Sequence, residues 1–143
     1  MIWRSLLIGA ALCLPTLGEA ADPPACPQAF SEFLSRFEVD AGFQASSIQF
    51  PLRVAYLDTA ANAEPTRKSK RISRDGYTKS EHPLYPTPEL RAKLKLERRV
   101  KEVSSTKAVV GFHQPESDAY AIEYHFTKAR GCWRLTFMDD HSL

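Results

Sequence analysis

The side chains that could carry acid–base, nucleophilic or metal chemistry are few and scattered along this 143-residue chain. Its histidines are His82, His113, His125 and His141. None has a second histidine or a cysteine at the short spacing that marks a local zinc site. Ser46 and Ser47 lack the flanking glycines of a nucleophile elbow. The sequence therefore predicts no metal site, no cofactor and no catalytic residue, and it favours a protein that is not an enzyme.

An acid–base site built from a histidine and a carboxylate is the alternative. His125 alternates with Tyr124 and Phe126, so it lies on the opposite face of a predicted strand. A histidine in such a place is more often exposed or engaged in a hydrogen bond than it is a catalytic base. Asp139 and Asp140 are interpreted as a polar chain end, because chain termini are usually loose and solvated.

Two cysteines are predicted to form a disulfide. Cys13 lies in an apolar leader at the start of the chain, which leaves Cys26 and Cys132 for the rest of the protein. Two cysteines in an oxidising compartment favour a single bridge. It would join the start of the first helix to the last strand, and two separate buried thiols are the alternative.

Residues 1–20 have the pattern of a secretory signal peptide. The apolar run that follows Arg4 is too short to span a bilayer comfortably. The small residues Gly18 and Ala20 stand where a signal peptidase reads the chain before cutting. We therefore expect one domain over residues 21–143, periplasmic or secreted, with no stable membrane anchor after cleavage.

Positive charge is concentrated in one stretch, although the net charge of the whole chain is only +2. This stretch, the basic run, contains Arg67, Lys68, Lys70, Arg71 and Arg74. One interpretation is a solvated loop or an edge strand, since lysine and arginine discourage edge-to-edge pairing. The other is a contact with a protein partner that has an acidic surface. Nucleic acid is not expected, because few aromatic residues are interleaved with the charges.

The first elements can be read from apolar periodicity. Residues 28–39 are predicted to form a helix, because their aromatic and leucine side chains recur at helical spacing on one face. Asp40 and Gly42 are expected to end it. Alternation over residues 48–56 predicts a strand, and Pro51 places this strand at a sheet edge or at a bulge.

The later part of the chain reads as turns followed by strands. Asp75 and Gly76 indicate a turn, and Thr87 is expected to cap a short helix that begins with a proline. A charge-rich alternating segment begins near residue 96, and clearer strands follow near residues 107–112, 119–126 and 132–138. The predicted fold class is α+β, with an N-terminal helix packed in a curved, mostly antiparallel sheet that ends in a three-strand meander.

Three segments resemble an uncharacterised family of exported bacterial domains. They are F-x-x-F-L-x-x-F from Phe30 to Phe37, the stretch from Asp40 to Leu52 that contains Phe-Gln and Phe-Pro-Leu, and G-x-W-x-L-x-x-x-D from Gly131 to Asp139. Those domains are similar in fold to nuclear transport factor 2, a curved sheet wrapped on helices into a cone with a hollow mouth. The resemblance implies the cone and the exported compartment but no activity, since this fold serves enzymes, ligand binders and structural partners. By the same analogy, two copies could pair through the open face of the sheet.

The function expected from these observations is an exported, non-catalytic binding domain that contacts an acidic protein partner through the basic run. One alternative is a small-ligand-binding or enzymatic domain that uses the cavity of the cone, with His125 or Asp139 as a functional residue. Tyr56, Tyr85, Tyr120 and Tyr124 are expected in the core and at the rim of such a cavity. A toxin-immunity type of inhibitor also fits the size and compartment.

Overall fold

A computed structural model describes residues 26–60, 64–81 and 83–143. The predicted signal peptide lies outside the described residues. The helices are α1 (Phe30–Phe37), α2 (Ala41–Ser46), α3 (Arg74–Thr78) and α4 (Pro88–Leu94), and the strands are β1 (Ile48–Asp58), β2 (Thr66–Ile72), β3 (Glu97–Ser104), β4 (Lys107–His113), β5 (Ala121–Ala129) and β6 (Cys132–Asp140). In this part of the chain, no helix has the length and apolar character needed to cross a membrane.

The six strands form one sheet in the order β2-β1-β6-β5-β4-β3. Every neighbouring pair is antiparallel except β1 and β6, which are parallel. Strands β3 to β6 follow one another as a meander, so the three predicted meander strands are preceded by a fourth, the charge-rich β3. The expected α+β class with a mostly antiparallel sheet is confirmed.

Alternation of side chains gives the sheet two different faces. The inner face is buried and carries Leu52, Val54, Val110, Phe112, Tyr124, Phe126 and Met138. Helix α1 packs on this face through Phe30, Phe33, Leu34 and Phe37, all of them buried. The ring of Phe126 lies 5.7 Å from that of Phe33 and 5.3 Å from that of Phe37, centroid to centroid. These rings fill the space between α1 and the sheet.

The end of the first helix differs from the expectation. Helix α1 ends at Phe37, but Asp40 begins a second helix instead of only closing the first. The Asp40 carboxylate accepts a hydrogen bond of 2.9 Å from the backbone N–H of Phe43, which is the bond of a helix N-cap. Gly42 lies inside α2, so its expected role as a helix stop is wrong.

Pro51 lies in a strand that has a neighbour on each side. Because β1 is flanked by β2 and β6, the edge position expected for it is wrong. The bulge alternative is confirmed, since the register of β1 against β6 shifts between Ile48 and Arg53. Pro51 lies in this interruption, so no regular position of the β1–β6 ladder requires a hydrogen bond from it.

Two further turn signals have different outcomes. Asp75 and Gly76 lie in α3, which Ser73 caps through a hydrogen bond of 3.0 Å from the Gly76 N–H to Ser73 Oγ. The expected turn is therefore a short helix. Thr87 caps α4 as predicted, accepting a hydrogen bond of 3.2 Å from the N–H of Leu90.

Cys26 and Cys132 are joined in a disulfide, as the cysteine count predicts. Their Cα atoms are 5.3 Å apart, and 106 positions separate them in the sequence. The indole N–H of Trp133 and the Lys128 ammonium also donate to the backbone oxygen of Gln28. The start of the described chain is thereby fixed to the hairpin between β5 and β6.

We expect Phe37→Ala to lower the free energy of unfolding by about 3–5 kcal/mol, because it empties a fully buried site that three aromatic rings surround. Val39→Ala is the matched control, since Val39 is 78% exposed and should change the same quantity by about 0.5 kcal/mol or less. Urea unfolding followed by circular dichroism measures both. Equal effects of the two changes would contradict the packing of α1.

Candidate functional site

The basic run forms an edge strand and the start of the helix that follows it. Arg67, Lys68, Lys70 and Arg71 lie in β2, which pairs with β1 on one side only. Arg74 is the first residue of α3. The interpretation as an edge strand is confirmed, and the charges discourage a further strand from pairing there.

Alternation divides the cations of β2 between the two faces of the sheet. Arg67 and Arg71 lie on the outer face, whereas Lys68 and Lys70 lie on the inner face. Two of these cations have acidic partners within the protein. The Arg67 guanidinium is 2.5 Å from Asp139 Oδ1, and Lys68 pairs with Asp58. The basic run is therefore not one uniform patch of free charge.

Aromatic rings hold two more cations of the run. The Lys70 ammonium lies 5.2 Å from the centre of the Tyr56 ring, and the Arg74 guanidinium lies 4.7 Å from that of Phe50. Such cation–π contacts are weak at exposed sites. They orient the two side chains without neutralising their charge.

Arg71 faces a second arginine across the strands. It is directly opposite Arg53 in the register of β1 and β2, and both side chains are exposed. Arg53 stacks on Phe137, with 4.7 Å between the guanidinium carbon and the ring centre. Neither arginine has an ion pair with a described carboxylate. Like charges directly opposite each other destabilise a sheet, so this pair is a natural place for an anionic group to bind.

A cavity of about 660 Å³ opens at the mouth of the cone, between the inner face and α4. Its apolar wall consists of Val54, Ile72, Leu84, Leu90, Leu94, Ile122 and Met138. Lys70, Tyr120 and Asp140 add polar groups to this wall. The size and the mostly apolar lining are typical of small-molecule sites.

Buried tyrosines close the inner end of this region. Tyr124 donates a hydrogen bond of 2.6 Å to the backbone oxygen of Leu84, and its hydroxyl is 3.4 Å from that of Tyr120. Burial raises the pKa of Tyr124 well above its ordinary value, with the neighbouring Tyr120 adding to the shift. The core and rim positions expected for these tyrosines are confirmed.

Tyr85 belongs to a network centred on one carboxylate. Its hydroxyl donates to Glu38 Oε1 at 2.8 Å, and Arg98 binds both oxygens of Glu38 at 2.8 Å. Arg91 is 3.4 Å from the same carboxylate. Burial, followed by the nearby Glu38 charge, raises the pKa of Tyr85 far above its ordinary value. This network ties the end of α1 to α4 and β3.

Asp139 was expected in a loose, polar chain end, and this expectation is wrong. Strand β6 continues to Asp140, and Asp139 lies directly opposite Glu123 of β5. Its side chain is only 14% exposed. The last strand is longer than its apolar pattern indicates, because ladder hydrogen bonds and the Arg67 ion pair hold the polar residues in place.

The outer face also brings together Glu123, His125 and Asp139. One potential ligand atom from each lies within 4.8 Å of the other two. His125 Nε2 is 3.6 Å from Glu123 Oε2, and His141 Nε2 is 3.4 Å from Asp139 Oδ1. The members of this group come from two strands, so no local spacing in the sequence indicates it. Regular extension of the β5–β6 pairing from its short turn would place Asp139 opposite Ile122, on the other face. The register shift between His125 and Phe126 is what brings Asp139 opposite Glu123.

His125 and Asp139 do not line the cavity of the cone, because the sheet separates them from it. Neither His125 nor Asp139 can therefore contact a molecule bound in this cavity. The described histidines lie beside carboxylates, with His113 Nε2 3.1 Å from Glu97 Oε2. Ser46 donates to the backbone oxygen of Phe43, a local structural bond. His82 lies outside the described residues.

The buried tyrosines predict a loss of stability at alkaline pH. Because the pKa values of Tyr85 and Tyr124 are raised above 10.0, their contribution is complete below that pH and is lost as the pH rises above it. The urea concentration at the midpoint of unfolding should therefore decrease as the pH is raised from about 9 to about 11. Tyr85→Phe should show a shallower fall than the unchanged protein, and identical pH profiles would contradict the role of Tyr85.

Comparison with known proteins supports the fold and goes no further. No family model matches this sequence, and no curated protein matches it. Among solved structures, an NTF2-like protein from Bacteroides fragilis is similar, with a TM-score of 0.56 and 14% identity over 85% of this chain. This chain spans only half of that protein, since the match covers 50% of it. An NTF2-like protein of unknown function from Shewanella baltica matches with a TM-score of 0.38 and 11% identity, over 78% of this chain and 88% of that one. The likeness to the Bacteroides protein shows that this chain has the NTF2-like cone fold.

Proposed function

We propose that this protein is an exported binding domain, not an enzyme, and that it contacts a protein partner with an acidic surface. The contact is made through β2 and the adjoining part of β1. The single observation that carries this proposal is the pair Arg53 and Arg71, exposed and opposite each other on the outer face. Neither has an ion pair with a described carboxylate.

The chemistry of arginine favours such a contact. Each guanidinium can hold a carboxylate through two parallel hydrogen bonds, and it is less strongly hydrated than an ammonium. A partner carboxylate between Arg53 and Arg71 would relieve their mutual repulsion. Because the free protein lacks this carboxylate, the relief contributes to the free energy of binding. Arg67 and Lys68 contribute less, because Asp139 and Asp58 already pair with them.

Export is supported by two independent features. Residues 1–20 have the composition of a signal peptide, and the disulfide between Cys26 and Cys132 is of the kind that persists in oxidising compartments. The partner is accordingly a periplasmic or extracellular protein.

Charge reversal tests the proposed contact. The double variant Arg53→Glu, Arg71→Glu should retain less than about a tenth of an acidic protein that the unchanged domain holds from a periplasmic extract, because like charges across an interface cost several kcal/mol. About 0.5 M NaCl should release the same protein from the unchanged domain. Quantitative mass spectrometry of the retained proteins measures both effects.

The matched control is Arg99→Glu, Lys101→Glu, which changes the charge equally on the same face at the opposite edge of the sheet. It should hold the partner as the unchanged domain does. Equal retention by the two double variants would contradict a contact at β2.

The cavity at the mouth of the cone favours a second candidate, a small amphipathic ligand. The leucine and isoleucine side chains of its wall are only half-buried, so they would lose water contact on binding an apolar body. Lys70 at the rim could then pair with an anionic head group, with Asp140 limiting the choice of head group.

Native mass spectrometry of the protein purified from the periplasm tests this candidate. We expect a non-covalent adduct that Leu90→Trp removes, because the larger side chain occupies the cavity. Val39→Trp, at an exposed position that does not line the cavity, should keep it. A protein without any adduct, or an adduct that survives Leu90→Trp, would refute a ligand in the cone.

A further inference from the structure

We propose that Glu123, His125 and Asp139 form a binding site for a divalent first-row transition-metal ion such as Zn²⁺ on the outer face of the sheet. This site shares no residue with the arginine pair or with the cavity of the cone, although Arg53 and His125 both pack on the ring of Phe137. It goes beyond the proposed function, because neither partner nor ligand binding requires it.

The backbone places the three side chains together. Glu123 and His125 are two positions apart in β5 and therefore share a face. Asp139 in β6 lies directly opposite Glu123. The ligand atoms lie within 4.8 Å of one another. Ligand atoms about 2.0–2.2 Å from a tetrahedral zinc ion are roughly 3.3–3.6 Å apart, so the widest separation here has to shorten by about 1 Å, which requires side-chain rotation of the exposed Glu123.

The imidazole of His125 supplies the strongest indication. Its Nε2 is buried and has no hydrogen-bond partner among the described residues. The nearest carboxylate oxygen, Glu123 Oε2, is 3.6 Å away, which is too far for a hydrogen bond. An unsatisfied buried nitrogen is costly. Coordination of a metal ion by the Nε2 lone pair would satisfy it.

The neighbouring groups are compatible with a cation at this place. Two carboxylates face each other across β5 and β6, and Arg67 pairs with one of them, at 2.5 Å from Asp139 Oδ1. His141 is 3.4 Å from the same oxygen. Arg67 therefore orients Asp139, in the way that outer groups commonly orient metal ligands. The other oxygen, Oδ2, has no described hydrogen bond and can face an ion.

The donor set selects the class of metal. One imidazole nitrogen with two carboxylates suits Zn²⁺ and its first-row neighbours. Mg²⁺ and Ca²⁺ prefer oxygen ligands alone. Three protein ligands would leave at least one coordination position for water or another molecule.

An outer-face groove of about 780 Å³ lies beside this site. It runs over β3, β4 and β5, and Glu123 and His141 belong to its wall together with Arg99, Lys101 and His113. Because Glu123 belongs to both, a bound ion would lie at the edge of the groove. A molecule in the groove could thus reach the open coordination position.

Isothermal titration calorimetry with ZnCl₂ tests the site on untagged protein freed of metal by chelation and dialysis. We expect one saturable equivalent that excess MgCl₂ does not displace. His125→Gln should weaken Zn²⁺ binding at least about tenfold, because even loss of an outer-shell partner typically costs 10–100-fold.

His113→Gln is the matched control. His113 lies on the same face, its side chain is 33% exposed like that of His125, and it is near a carboxylate, but it is not part of the three-ligand group. It should bind Zn²⁺ as the unchanged protein does. If His125→Gln fails to fold by circular dichroism, Glu123→Gln takes its place, since Glu123 is 51% exposed.

Three results would overturn the site. They are the lack of a saturable equivalent, unchanged affinity in both the His125 and Glu123 variants, and equal weakening by His113→Gln. Binding of Co²⁺ gives a second readout, since its visible absorption should appear with the unchanged protein and be lost in Glu123→Gln.

Discussion

The packing of the α1 phenylalanines on the inner face of the sheet is the interaction on which the rest of the structure depends. Phe33 and Phe37 meet Phe126 at ring distances of 5.7 and 5.3 Å, and Tyr85 stands edge-on to Phe37 at 5.2 Å. Helix α1 covers part of the inner face, and none of its residues lines the cavity beside α4. The cavity beside α4 follows from this unequal filling, because the leucines of that short helix cover only part of the exposed inner face.

Successive side chains of β5 and β6 point to opposite faces of the sheet, so the residues of the core and the residues of the outer cluster are separated. Tyr124 and Met138 point inward and are buried, whereas their immediate neighbours His125 and Asp139 lie on the outer face. One residue of register shift would exchange the two sets, which the inner packing forbids. The precision of the outer carboxylate and imidazole positions is thus a consequence of the apolar core. The cavity and the outer cluster are independent, because the thickness of the sheet lies between them.

The number of cations in a segment of this protein does not show how much positive charge is left free, because some of these cations form ion pairs. The basic run is dense in the sequence, yet Arg67 and Lys68 are paired with acids that lie far from them or across a turn. Arg53 lies outside the run and nevertheless faces Arg71 without a described acidic partner. The unneutralised positive charge therefore lies partly where composition does not indicate it. The same pairing makes Arg67 a link between β2 and the cluster around Asp139.

The local elements and the covalent link can be predicted from the amino-acid sequence alone. Local patterns predict the helix from Phe30 to Phe37, the Thr87 cap and the strands. The disulfide follows from the cysteine count, because Cys13 lies in the apolar leader and only Cys26 and Cys132 are left to pair. The local patterns are strong signals because an apolar helix face has to be buried and the first N–H groups of a helix have to find an acceptor.

Other features depend on partners that are distant in the chain and appear only in the folded protein. Pro51 lies inside the sheet at a bulge of β1 against β6, and Asp139 belongs to a strand in which it pairs with Arg67 of β2. The cap that Asp40 forms on α2 is local, since its partner is the N–H of Phe43. The cluster of Glu123, His125 and Asp139 exists only through the register of β5 against β6. Register is set by the packing of the whole inner face, which no local pattern of residues contains.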